Sequence, residues 1–289
     1  VSERNAWAEI CDCEKSAPLT LDRFYSPTNF LSISPIDEFY INQKSFIKLG
    51  TAEALSRNDA LGRLLLLGIV SATETYFRNI LSGLVYICPL AHVHAYVQQL
   101  SFGSVDYYLK RDLGLALLEN HSLLSTKEIT SQTQRILSLE IKSDASLLAA
   151  VNEFDKLCNL RHAAVHSHGA LAPINVQKLG LSSATGRLSL SIDLDGFQEA
   201  TEICLNVVRA YNRFVYRETV ERWISNGVLT GTWVDDKGKM EALFNLAKSS
   251  EDAISLRSAF LSYQKLLPNI KKFRLAQVAR AANRTDPKK

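Results

Sequence analysis

Between residues 37 and 88 apolar side chains recur at the three-and-four spacing of a helix with one buried face, and Pro89 closes the run. Ser56 or Asn58 can cap a break within it, so the stretch predicts two helices, the second long and mostly buried. A buried helix of that kind must be surrounded by other elements, and the rest of the chain supplies mainly helices. Residues 91 to 141 read as further helical pieces, interrupted near Ser101 to Ser104 and near His121 to Thr126. Asp144 is placed to cap a helix running to about His168, with Leu147, Val151, Phe154, Leu157 and Cys158 among its apolar positions and Gly169 and Pro173 closing it. Asp195 opens another long helix, to about Asn226.

Two stretches read differently. Leu188, Leu190, Ile192 and Leu194 alternate with Arg187, Ser189, Ser191 and Asp193, the period of a half-buried strand, and residues 176 to 181 are expected to pair with it as a small β-hairpin. Residues 1 to 36 hold Pro18, Pro27 and Pro35 with many Ser and Thr, which predicts an irregular arm with one short helix near residues 5 to 11. After Gly227 the texture changes again, with a turn expected over Asp235-Asp236-Lys237-Gly238 and helices around residues 241–247 and 251–267. The expected architecture is mainly α: an arm and leading helix over residues 1–50, a helical domain over 51–226 with a β-hairpin insertion, and a C-terminal helical extension over 227–289.

Composition narrows the function classes. Apolar residues make up 46% and charged residues 22%, the balance of a globular protein, which excludes fibrous and wholly disordered chains. The longest apolar run, residues 64–70, falls far short of the roughly 20 residues that cross a bilayer. Acidic Glu3, Glu9 and Asp12 near the start are unlike a secretory signal. The five cysteines are odd in number and scattered, as reduced thiols are, so the expected location is the cytoplasm and no membrane partner is expected. Cys11 and Cys13 form a C-x-C, readable as spare thiols or as half of a zinc site. A formal charge of only +3 is not that of a polycation. Its placement is uneven, however: Lys271, Lys272, Arg274, Arg280, Arg284, Lys288 and Lys289 face a single acid, Asp286. That tail is either an RNA-phosphate contact or a solvated helix end.

The chemistry-bearing segment is Leu157-Cys158-Asn159-Leu160-Arg161-His162-Ala163-Ala164-Val165-His166-Ser167-His168-Gly169, which gathers three of the six histidines and an arginine at one helix end. Ala163 and Ala164 would let another surface approach closely, or serve as plain packing. The segment resembles the defining motif of the HEPN superfamily, an Arg, commonly a polar residue after it, three more residues and a His. Arg161 to His166 fits that form, and Arg161 to His168 fits its longer variants. Glu74 lies on a helix similar to the family's first core helix, which often bears an acid near the site, and the likeness spans about residues 51 to 226. What the resemblance implies is a metal-independent endoribonuclease with no cofactor, leaving a 2′,3′-cyclic phosphate and a 5′-hydroxyl. It also implies a homodimer with a shared cleft, and a toxin or antiviral effector under the control of an antitoxin or regulatory partner.

The residue types suit that chemistry on their own terms. Histidine titrates near neutrality and can move a proton either way, while arginine stays charged and presents a planar fork to phosphate oxygens. Arg161 is thus expected to hold the scissile phosphate, His166 to transfer the proton or orient the 2′-hydroxyl, His162 to support the pocket, and His168 and Glu74 to play secondary parts. Five positions on an ideal helix turn Arg161 and His166 about 140° apart, so either the helix distorts before Gly169 or a second copy completes the pocket. Other readings compete: histidines at a helix C-terminus can simply answer the dipole, and His162, His166 and His168 have a zinc-like spacing but lack the Glu of H-E-x-x-H. A non-catalytic RNA- or nucleotide-binding module would use the same residues.

Overall fold

The computed structural model describes residues 17–26, 33–108, 112–181, 186–252 and 257–284, with side chains to residue 280. Val1–Ser32 and Ile33–Lys289 are separate compact units. In the first, the described residues hold one 3-10 turn, Leu21–Arg23, beside which the Tyr25 hydroxyl donates to Asp22 at 2.9 Å. The short helix expected near residues 5 to 11, and with it Cys11 and Cys13, lies outside the described residues.

The second unit is mainly helical over its described residues: α1 (Pro35–Leu49), α2 (Ala52–Arg57), α3 (Asp59–Ile87), α4 (Pro89–Tyr96), α5 (Phe102–Tyr107), α6 (Leu113–Ala116), α7 (Thr126–Leu137), α8 (Ala145–His166), α9 (Pro173–Lys178), α10 (Leu194–Ser225), α11 (Trp233–Ala247) and α12 (Ala259–Arg284). Short polar side chains start most of them. Ser34 accepts from the Asp37 N–H, Asn58 from Ala60, Asp144 from Leu147 and Asp193 from Gly196, each satisfying a backbone donor that the helix cannot. Pro89 ends α3 and is itself the first residue of α4, where its missing N–H costs nothing.

α3 is the axis of the fold, with α1, α8, α10 and α11 packed around it. Tyr76, Phe77, Phe154 and Tyr211 form its aromatic centre, the Phe77 and Tyr211 rings meeting edge-on at 4.9 Å. The buried Tyr211 hydroxyl is satisfied by Thr133 at 2.7 Å, so the centre carries no orphaned polar group there. α3 and α8 run antiparallel, since Phe77 meets Phe154 while Arg63, at the other end, meets Gly169. α10 runs parallel to α3: Gly62 touches Ile192 just before α10, and Trp223 near its far end donates to Cys88 at 3.3 Å. A Cβ on Gly62 would come within 2.5 Å of the Ile192 carbonyl, so only glycine admits this approach. By length and composition alone α3 could cross a membrane, which counting one uninterrupted apolar run overlooks; half of that stretch is buried in the protein.

Three expectations need correction. No β-hairpin is formed among the described residues: residues 176–181 do not form a strand, because Pro173 starts α9 and Val176 lies inside it. The alternation over residues 188–193 is nevertheless real as burial, with Leu190 and Ile192 inward and Ser189 and Ser191 outward. Its partner is residues 169–171, through one antiparallel bridge between Ala170 and Ser189 and the bonds Leu190 N–H to Gly169 O and Leu171 N–H to Leu188 O. The turn expected at residues 235–238 is the first turn of α11. Asp235 and Asp236 face its positive end there, and the fully buried Asp236 carboxylate accepts from the Thr230 and Gly231 N–H groups and the Tyr263 hydroxyl. Finally, α12 does not stop near residue 267 but continues through Pro268 to Arg284.

Candidate active site

Asp144 fixes where α8 begins, since its carboxylate caps Leu147 at 3.0 Å and is held from outside by Arg217 at 3.1 Å. These donors, the Leu147 N–H foremost, keep its carboxyl below the ordinary range. From that start the helix runs unbroken to His166, so it does not distort between Arg161 and His166. At the far end the Ala163 carbonyl accepts from both Ser167 and Gly169, and the chain leaves through left-handed His168 (φ 49°) and Gly169 (φ 96°).

The regular helix decides how the candidate residues face. Arg161 follows the buried Phe154 by seven positions, within about 20° of the same inward direction, and its side chain is half-buried. It makes no hydrogen bond or ion pair with any described residue, although its charge reaches the Cys158 thiol. His162 and His166 lie one turn apart on the outer surface, both exposed, their rings 4.4 Å apart and tilted by 44°. The structure therefore brings His162 and His166 together, while helix geometry leaves Arg161 and His166 about 140° apart within one chain. His168 stands past the helix, exposed, in the turn. Ala163 is fully buried in its own chain and half-buried Ala164 packs on the same core, which assigns both to internal packing.

Glu74 sits on α3 close enough to α8 for its charge to push on Cys158. Its carboxylate is already committed, to Arg78 at 2.9 Å and to the Leu123 N–H at 3.1 Å, and Arg78 in turn donates to the carbonyls of Leu118 and His121. Glu74 thus ties α3 to the loop before α7. Cys158 lies behind the cluster, buried, and that burial first of all pushes its thiol up, which leaves it unreactive.

The basic residues of α12 are elsewhere. Gln277 lies over Gly227, just beyond α10, whereas the histidine cluster adjoins the segment that precedes α10. The 32 residues of α10 put about 48 Å between those two ends. Lys271, Lys272 and Arg280 are exposed there, but Arg274 is turned inward, donating to the Leu229 carbonyl at 3.3 Å with its Nε buried.

One residue at the site escapes sequence reasoning. Arg63, from the start of α3, lays its stem across Gly169, where an added Cβ would sit 3.1 Å from Arg63 Cδ; it too pairs with no described residue. An arginine opening an apolar run gives no hint of which helix end it will reach. Past Ser167 opens a cavity of about 780 Å³ lined by Leu171, Val176, Leu181, Arg187 and Leu188; Arg161, His162 and His166 are not on its wall. Among the described residues no three side chains of metal-donor type converge. Comparison with protein-family models, with curated proteins and with solved structures finds no match to this chain.

Proposed function

We propose that the chain is a metal-independent endoribonuclease of the HEPN type. In the reaction the ribose 2′-oxygen bonds to the neighbouring phosphorus and the bond to the 5′-oxygen breaks, leaving a 2′,3′-cyclic phosphate and a 5′-hydroxyl. One imidazole takes the proton of the 2′-hydroxyl, another donates one to the leaving 5′-oxygen, and Arg161 faces the charge on the phosphorane. The observation that supports the reading is the state of Arg161, a half-buried guanidinium without a carboxylate partner among the described residues, next in sequence to a pair of imidazoles 4.4 Å apart. A guanidinium in that state has N–H donors free to offer to phosphate oxygens.

Because Arg161 and His166 diverge on a regular helix, the cleft is assembled from two chains related by a twofold axis. The exposed apolar side chains Val165 and Leu64 at this end of the bundle suit such a contact. The substrate is RNA, with Lys271, Lys272 and Arg280 as its distant phosphate contacts. A ribonuclease free in the cytoplasm would damage its own cell, so the role that fits is a toxin or antiviral effector restrained by an antitoxin or regulatory partner. A second reading, a non-catalytic RNA- or nucleotide-binding module, is favoured by one observation: His162, His166 and His168 have no described hydrogen-bond partner to orient their rings.

Incubation with structured RNA in EDTA separates the two. Cleavage that disappears in Arg161→Ala and in His166→Ala supports the nuclease; intact RNA with binding retained supports the module. Mixing the two inactive variants tests the shared cleft, since mixed dimers hold one complete site and should restore about a quarter of the activity. No restoration would confine the site to one chain.

A further inference from the structure

The imidazoles of His162 and His166 have an arrangement that proton transfer alone does not require. Positions i and i+4 stack on one helix face, and here the two rings approach to 4.4 Å with both exposed to solvent. Neither ring spends its nitrogens on a hydrogen bond to a described residue. Two imidazole nitrogens bound tetrahedrally to one Zn2+ lie about 3.3 Å apart, a span that two rings on consecutive turns of one exposed helix face can subtend. From Cys158 to Ala170 there is no acidic residue, so nothing on this stretch competes for the rings as an ion-pair partner. Arg161, adjacent to His162 in sequence, is half-buried on the inward side of the helix and opposes a cation only from the side.

We infer that His162 and His166 form a two-imidazole site for a borderline divalent transition cation of the Zn2+ type, and that its occupancy switches off the chemistry of the cleft. Imidazole suits Zn2+, Ni2+ and Cu2+ and has little use for Mg2+ or Ca2+, which seek oxygen. A cation seated on the pair takes the lone pairs that would accept or return protons. It also places fixed charge where RNA backbone must approach Arg161 in a set orientation. The binding half stands on the ring geometry alone; the inhibitory half rests on the nuclease reading above.

The test uses the full chain with Cys11→Ser and Cys13→Ser, which removes the thiol pair of the N-terminal unit; the described cysteines are buried. Calorimetric titration with ZnCl2, without RNA, should find a site whose affinity falls about tenfold or more in His162→Ala and equally in His166→Ala, because each variant loses the chelating second ligand. His168→Ala should retain the site. Both imidazoles are exposed, and an unchanged thermal transition in each variant reports an intact fold. Equal zinc affinity in His162→Ala and the parent would overturn the site, as would a site lost only in His168→Ala. RNA cleavage should then fall with Zn2+ at the calorimetric midpoint, return with EDTA and ignore Mg2+. Cleavage that persists at saturating Zn2+ would overturn the inhibitory half. Zinc binding by a protein that never cleaves RNA would refute the nuclease reading and leave the cation site standing.

Discussion

Two arginines on neighbouring helices are treated in opposite ways. Arg78 of α3 is anchored by Glu74 and by the carbonyls of Leu118 and His121, closing a loop onto the bundle. Arg161 of α8, also half-buried, meets no partner among the described residues. Other inward charges follow the first pattern: Arg209 is bonded to Tyr40 and Asp252, Arg222 to the Leu137 carbonyl, and the buried Asp236 has backbone and hydroxyl donors. Arg161 and Arg63, both half-buried and both without a partner among the described residues, are the exceptions to that pattern, and on the nuclease reading the one beside the two imidazoles is where an anion from outside would bind.

The comparison can be broken most directly by exchanging its halves. Arg161→Ala should lower RNA cleavage by about a hundredfold to a thousandfold, with the unfolding midpoint unmoved. Arg78→Ala should do the reverse, costing about 1–3 kcal/mol in chemical denaturation while folded molecules still cleave normally. If both variants lose stability and activity in step, the contrast between a structural and a functional arginine collapses. His166→Ala should lower the cleavage rate by about a hundredfold or more, and by more than His168→Ala; the opposite order would move the proton-transfer role to the turn beyond the helix.

Smaller effects sharpen the same contrast. Gly169→Ala forces a side chain into a left-handed backbone and against the Arg63 stem, and should cost about 1–2 kcal/mol in stability. Cleavage should fall further than that loss predicts, because His168 lies in the turn being strained and His166 ends the helix that leads into it. The smallest expected change is that of Asp144→Ala, about 1 kcal/mol from the lost cap. The Asp144 carboxyl is held below its ordinary range, so its contribution is full above the pKa of a free carboxyl and disappears as pH falls through the lower, folded value. Denaturation midpoints of Asp144→Ala and the parent should differ at neutral pH and converge in strong acid.

Much of this was legible in the chain itself, wherever local chemistry and tertiary packing agree. Asp144 and Pro89 mark helix ends because a short side-chain acceptor and a missing N–H act within a few residues. The alternation from Leu188 to Asp193 reports its burial correctly, yet burial period does not name a partner, and the paired residues are 169–171 instead of a hairpin arm. Asp235-Asp236-Lys237-Gly238 has the composition of a turn, and α11 absorbs it because Asp236 gains backbone donors and Tyr263 only when buried at a helix start. At the site, the grouping of Arg161, His162 and His166 on one helix was readable from spacing. The commitment of Glu74 to Arg78 and the arrival of Arg63 over Gly169 were not, since both depend on how α3 lies against its neighbours.

The length of α10 acts as a ruler. With the imidazole cluster near one end and Lys271, Lys272 and Arg280 beyond the other, an RNA engaging both on one chain must reach about 48 Å. A short single strand would feel only the cluster. A folded stem long enough to touch both would gain phosphate contacts remote from the scission point, so substrate choice would turn on the dimensions of the RNA more than on the bases around the cut.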